Sequence, residues 1–153
     1  MSPMMRATTD NGLLAPVPDA DGAPFWDFAA RGELRIQICS DCREPRFPPR
    51  PCCPKCHSFT SSWRLTSGTG HIWSYVRPHP PLLPGYAAHA PYNVVLVELA
   101  DAPGIRLVGN LVASPDAEID SAAPEDLRIG AAVRAVFPRV QGMALPRWTP
   151  ERS

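Results

Sequence analysis

The period of apolar positions along this chain changes twice. Phe25, Phe28 and Ala29 fall at i, i+3 and i+4 with Trp26 beside them, the spacing of one helical face. Asp21 and Gly22 precede Pro24, which is favoured in a first helical turn because it lacks the N–H left unpaired there, and Gly32 supplies a stop. A short helix with an unusually aromatic face is predicted. After Gly32 the period drops to two: Leu34, Ile36 and Ile38 alternate with Arg35 and Gln37, as in a half-buried strand. From Ser62 onward the patterns are those of strands. His71–Val76, Asn93–Leu99, Ile105–Val112, Ala132–Phe137 and Ala144–Trp148 are five candidates separated by Gly, Pro and Asp clusters. Ala102-Pro103-Gly104 reads as a hairpin turn, and Pro124-Glu125-Asp126-Leu127 as one helical turn within the longer connection 113–131. Five strands with a long crossing between the third and fourth predict an OB barrel.

Composition adds bounds. With 153 residues and 44% hydrophobic content the chain can bury a core. Twenty prolines favour short strands and fixed loops over long helices. Net charge is zero, which argues against a nucleic-acid or anionic-membrane partner. No apolar run approaches the roughly 20 residues of a membrane span. The beginning MSPMMRATTDNGLL lacks the apolar centre of a signal peptide, so a cytoplasmic location is expected. The predicted division is a flexible segment 1–23, a helix with a metal-binding ribbon over 24–65, and a barrel over 66–150. The fold class is mainly β.

All five cysteines lie in CSDCREPRFPPRPCCPKC, residues 39–56. Cys39 and Cys42 form one C-x2-C pair and Cys53 and Cys56 a second. Two residues between cysteines let the chain make a knuckle whose sulfurs face one centre, and two knuckles supply the four thiolates of a tetrahedral site. A disulfide framework fits an odd cysteine count and an expected reducing compartment poorly. Redox chemistry of the thioredoxin type needs one such pair where a strand meets a helix, and here prolines crowd the spacer. Four thiolates bind zinc or iron, and zinc is the default. Cys52 is either a bystander beside Cys53 or a reactive thiol, for which no base lies nearby; Cys53 is the expected ligand because only it completes the spacing with Cys56, and His57 could compete. A closed four-thiolate site leaves no position for substrate, so one structural zinc per chain is expected.

Taken together, the aromatic FWDFAARGELRIQ, the pair CSDC, FPPR before CPKC, SGTGHIWSYV, the strands PYNVVLVEL and IRLVGNLV, and IGAAVRAVF with LPRWTP resemble the DUF35 family. The resemblance covers roughly residues 24–150. It implies a rubredoxin-like zinc ribbon followed by an OB fold, in an acyl-CoA-associated protein that assembles with a thiolase-like enzyme. That partner would be a retro-aldolase of steroid side-chain degradation or an acyltransferase, and the implied assembly is a hetero-oligomer built on a thiolase dimer. The partner would carry the chemistry, with acyl-CoA near the interface. Glycine often follows each cysteine pair in such ribbons, whereas this chain has Arg43 and His57. A left-handed backbone there costs on the order of 1 kcal/mol without glycine.

The residues agree with an accessory role in one respect. Acyl transfer or hydrolysis wants a nucleophile, a base and an orienting group, and the four histidines are scattered with no such motif; His71 reads as a packed strand residue. The candidate interface lies elsewhere. Phe25, Trp26 and Phe28 of the helix either cap the core or dock on a partner. The loop RPHPPLLPGYAAHAPYN, residues 77–93, presents His79, Leu82, Leu83, Tyr86, His89 and Tyr92 on a proline-stiffened frame. It is either a lid over its own barrel end or a protein or acyl-chain contact that loses little entropy on docking. Single-stranded nucleic acid is the competing ligand, since Arg31, Arg35, Arg43, Arg46, Arg50, Lys55 and Arg64 make the ribbon region locally basic and Trp63 and Trp73 could stack. The same cations would suit the phosphates of coenzyme A or an acidic partner.

Overall fold

The computed structural model describes residues 12–152. The helix α1 spans Ala23–Ala30 with Pro24 in its first turn. The chain leaves it through Gly32, whose φ of +75° is cheap only for glycine. Strands β1 (Arg35–Cys39), β2 (Pro45–Arg46) and β3 (Ser61–Leu65) form an antiparallel sheet in the order β2-β1-β3. Ile36 and Ile38 point into the core, as expected. Gln37 does not stay at the surface, because the spacer between the cysteine pairs folds over that face. Its Oε1 accepts from the Arg46 Nε at 3.0 Å and the Arg50 N–H at 2.9 Å, and its Nε2 donates to Ser61 Oγ at 3.0 Å.

The second sheet contains β4 (Thr69–Val76), β5 (Val94–Leu99), β6 (Ala102–Gly109), β7 (Ala132–Val136) and β10 (Arg147–Pro150) in the order β10-β7-β4-β5-β6. A parallel bridge between Leu111 and Trp148 joins the continuation of β6 to β10, sealed by Val112 N–H to Trp148 O at 2.8 Å. A five-stranded sheet closed in this way is the expected OB barrel. Alternation is clean on β5, where Val95, Val97 and Leu99 are buried and Val94, Leu96 and Glu98 are less so.

Three expectations shift. The hairpin between β5 and β6 turns at Ala100-Asp101, and Ala102 already pairs with Leu99. Pro103 and Gly104 sit in a bulge, where Gly104 takes φ +86° and its N–H reaches the Glu98 carboxylate at 3.3 Å. The fifth candidate strand, 144–148, is split. A small hairpin of β8 (Arg139–Val140) and β9 (Met143–Ala144) turns at Gln141-Gly142 (φ +47° and +83°), and β10 resumes after Pro146, which cannot donate to a ladder. The candidate strand ending at Val112 stops at Gly109, because residues 110–112 have crossed to β10. The helical turn at Pro124–Asp126 is present as a 3-10 turn.

One core runs through ribbon and barrel. Phe25, Leu34, Ile36 and Ile38 pack in the same cluster as Ile72, Val95, Val97, Leu107, Val133 and Trp148. Each fully buried side chain of this kind contributes about 1.5–3 kcal/mol, so the ribbon is held by the barrel and not by metal alone. A second cluster joins Leu13, Ile119 and Val140, with Tyr86, Tyr92 and Leu145 against it. Leu13 belongs to the segment expected to lead flexibly into the helix, and its side chain is buried in this second cluster; residues 1–11 lie outside the described residues.

Candidate metal centre

Each cysteine pair sits in the same backbone device. In the first, Cys39 donates its N–H to Glu44 O and its carbonyl accepts from Arg43 N–H, both at 3.0 Å. In the second, Cys53 donates to Ser58 O and its carbonyl accepts from His57 N–H, both at 2.9 Å. Arg43 and His57, the residues after each pair, take φ of 65° and 66°, the left-handed backbone anticipated there. Asp41 of one knuckle accepts a hydrogen bond from Ser58 of the other, tying the two together.

The sulfurs of Cys39, Cys42, Cys53 and Cys56 lie within 4.8 Å of one another. Cys39 and Cys56 are 3.5 Å apart, and Cys42 and Cys53 3.6 Å. Four thiolates at a zinc–sulfur distance of 2.3 Å in a tetrahedron are about 3.8 Å apart, so the donor set fits the ion. These four residues would hold it, and it would supply a cross-link between the knuckles without an open position for substrate. Cys52 stays out of the group, and its thiol is directed to the Cys53 carbonyl at 3.6 Å. His57 is exposed.

Backbone N–H groups favour the thiolate at Cys39 and Cys53, whereas the sulfurs of Cys42 and Cys56 are pushed toward the neutral thiol by burial and by their neighbours. The Cys42 N–H, at 3.5 Å from Cys39 Sγ, leads the effects that bring that thiol down to about 6, against the opposing effect of burial. The Cys56 N–H does the same in direction for Cys53. Cys56 itself is pushed up to about 12: the Ser58 N–H favours its thiolate, but crowding by Cys39 and the other sulfurs, together with burial, outweighs it. Four like charges without a cation repel, and a dication is the natural counterion.

The remaining candidates divide by what they touch. Phe25 is buried in the common core, with ring centroids 5.1 Å from Trp26 and 5.4 Å from Phe47. Phe28 is half-buried between the guanidiniums of Arg31 and Arg35, at 5.0 and 4.9 Å, and near Trp63. In the loop, α2 (Pro84–Ala87) sets Tyr86 against Tyr92 at 5.9 Å, and the Tyr86 hydroxyl accepts from the Leu14 N–H. His89 is buried between Asp120 at 3.4 Å and Glu118 at 3.7 Å. This inner side of the loop is folded onto its own chain. Leu83, 58% exposed, and His79 face outward, with Leu82 half-buried.

The local basic character is largely consumed within the fold. Arg46 is buried on Gln37 and Arg50 O, Arg35 pairs with Glu33, Lys55 with Glu44, and Arg64 donates to Asp101 O. On the outer barrel face, Arg106 pairs with Glu98 at 3.1 Å and stacks on Trp73 at 3.9 Å. Leu96 and Val108 pair beside them. This apolar, charge-balanced face escaped the sequence reading, which saw the residues on separate strands.

A rubredoxin-like ribbon packed on a five-stranded OB barrel defines the class. Family models agree: residues 26–61 match the rubredoxin-like zinc ribbon domain of ChsH2, and residues 63–138 its C-terminal OB-fold domain. In the solved structure of the Ltp2-ChsH2(DUF35) aldolase, one chain is 35% identical, with a TM-score of 0.74 over 89% of this chain and 98% of that one. This chain belongs to the DUF35 family. Curated relatives include a probable enoyl-CoA hydratase alpha subunit of Thermomonospora curvata, 39% identical over 75% of this chain and 32% of that protein. Another is the 3-oxo-4,17-pregnadiene-20-carboxyl-CoA hydratase alpha subunit of Mycobacterium tuberculosis, 32% identical over 92% of this chain and 41% of its own length. A DUF35 domain-containing scaffold protein of Methanocaldococcus jannaschii is 33% identical over 67% of this chain and 66% of its length. The chain thus spans a third to two-fifths of the two hydratase subunits it matches. Among the described residues, no helix is long and apolar enough to cross a membrane.

Proposed function

We propose that this chain is a non-catalytic accessory subunit, with one structural zinc, that assembles with a thiolase-like enzyme acting on acyl-CoA substrates. Steroid side-chain degradation is the leading context. The observation that carries the reading is the match over 98% of the DUF35 chain in an aldolase complex, at 35% identity. A closed four-thiolate centre supports it, since such a metal braces a fold and leaves no coordination site for chemistry. The reading also draws on a relative named as a scaffold and on one named for a pregnadiene-carboxyl-CoA hydratase subunit. Pairing of Arg35 with Glu33, Lys55 with Glu44 and Arg106 with Glu98 shortens any basic track and favours a protein neighbour over single-stranded nucleic acid. Within this reading, Leu82, Leu83 and His79 on the outer side of loop 77–93 are the contact candidates nearest the partner's substrate entrance.

The test is purification of the tagged chain from its native host, with mass spectrometry of co-eluting proteins and metal analysis of the same sample. A thiolase-like subunit in fixed ratio, with one zinc per chain, is expected. A metal-free chain, or one that elutes with nucleic acid and no protein partner, would overturn the reading.

A further inference from the structure

Between ribbon and barrel lies a cleft of about 520 Å³, apart from the four-cysteine centre. Its size falls within the range of pockets that bury a ligand, about 300–1,000 Å³. Its walls are residues 16–18, Phe25 and Trp26 of α1, residues 47–49 of the cysteine spacer, and residues 145–146, five of them prolines. Prolines have no N–H to offer, so these walls are stiff and poor in donors. The remaining wall is different. Arg106, Leu107 and Val108 all line the cleft, although successive strand side chains point to opposite faces. Three consecutive residues can border one space only where a strand presents its edge. Among the described residues, β6 over this stretch pairs with β5 alone, and its bridge toward β10 begins only at Leu111. A strand paired on one side leaves alternate N–H and C=O groups directed outward.

Charge along the cleft is asymmetric. At the β6 end, Arg106 is neutralised by Glu98 and covered by Trp73. At the α1 end, the cleft-lining Asp19 carboxylate accepts from the Gly22 N–H at 2.6 Å, with the exposed Asp21 two residues further on and Asp27 exposed on α1 itself; no cation lies within ion-pair distance of these three among the described residues. Val17 and Val108, at 93% and 66% exposure, leave the rim apolar.

We infer that this cleft receives an extended apolar segment of a partner protein, added as a strand to the open edge of β6, with a basic side chain of that segment meeting the aspartates beside α1. Strand addition draws affinity from main-chain hydrogen bonds, here supplied by β6 alone, and specificity from the side-chain slots on either side. The proline walls hold the slot open before binding, which lowers the ordering cost. The inference rests on the accessory-subunit reading only for who supplies the segment.

The experiment is an NMR titration of the 15N-labelled, zinc-loaded chain with capped heptapeptides that alternate valine and threonine and carry arginine at one end or the other. Amide shifts at residues 105–109 are expected. N-methylation of alternate peptide nitrogens should abolish binding in one register and spare it in the other, because an added strand uses every second N–H. Val108→Asp, at an exposed position, should weaken binding about tenfold or more with zinc content and melting temperature unchanged. Asp21→Lys should weaken it about two- to fivefold at low salt. No shift at millimolar peptide, or equal loss in both N-methyl registers, would overturn the inference. So would concentration-dependent protection of residues 105–109 in the free chain, which would mean a second copy fills the edge. Protection removed by organic extraction would overturn it equally, because a small apolar molecule would then be the occupant. These results stand whether or not a thiolase-like subunit co-purifies. Hydrogen exchange on a purified complex, slowed at residues 105–109, would then assign the segment to that subunit.

Discussion

Gly70 lies where three strands meet, paired with Leu99 of β5 on one side and with Val133 of β7 on the other. A Cβ there would stand 2.3 Å from the Glu98 carbonyl oxygen and 2.7 Å from Val97 Cγ1. Carbon and oxygen approach to about 3.3 Å at closest in sheets, so β5 would have to retreat by about 1 Å at this point. The obstacle is main chain, tied on both sides by ladder bonds, and cannot rotate away. Overpacking of this kind costs about 1–3 kcal/mol. Loss of glycine's freedom in the unfolded chain returns about 0.5–1 kcal/mol. Gly70→Ala should therefore destabilise by about 1–2 kcal/mol, a fall in Tm of about 2–8 °C for a chain of this size. Gly68 provides the control, since a Cβ there meets nothing within 4 Å and the constraint is its φ of +72°. Asparagine tolerates the left-handed region better than alanine. The ranks should consequently invert: Gly68→Asn is milder than Gly68→Ala, and Gly70→Asn is worse than Gly70→Ala. Thermal melts of the four variants decide the matter. A Gly70→Ala protein melting within about 1 °C of the parent, or a Gly70→Asn protein no worse than it, would refute the steric argument.

Cys53→Ser should lose zinc to a chelator that leaves the parent loaded, while Cys52→Ser should match the parent, as read by metal analysis after dialysis. His57→Gly relieves a left-handed backbone at a small entropic cost and should raise Tm by about 1–2 °C, corresponding to about 0.5 kcal/mol. Arg46→Met keeps the buried stem but removes the charged hydrogen bonds to Gln37 and Arg50 O; denaturant unfolding should show a loss of about 1.5–3 kcal/mol. The Gly104 N–H and then Arg106 hold Glu98 below the usual carboxylate range. Its contribution is therefore complete above the ordinary carboxylate pKa and disappears as pH falls through the lowered folded value. Melts of Glu98→Gln against the parent should differ at neutral pH and converge in acid, and a constant difference would exclude this linkage.

The sequence alone determined what depends on residues close in the chain. Two C-x2-C pairs specify the knuckles because four sulfurs need only local turns to converge, and the positions after them took left-handed backbone despite carrying Arg43 and His57. The period-two strands placed the barrel, since alternation on β5 reflects a single buried face. Strand ends were less legible. Pro146 interrupts an otherwise continuous run, and whether Ala102 turns or pairs depends on where Leu99 lies on the opposite strand. Tertiary structure decided everything that needs distant residues to meet. It buried Gln37 under the spacer, turned Tyr86, Tyr92 and His89 inward, and consumed most of the ribbon's cations in internal bonds. It also opened a cleft between segments as far apart in sequence as residues 16 and 146. Such features depend on which faces remain after the core has closed, and no local period encodes that remainder.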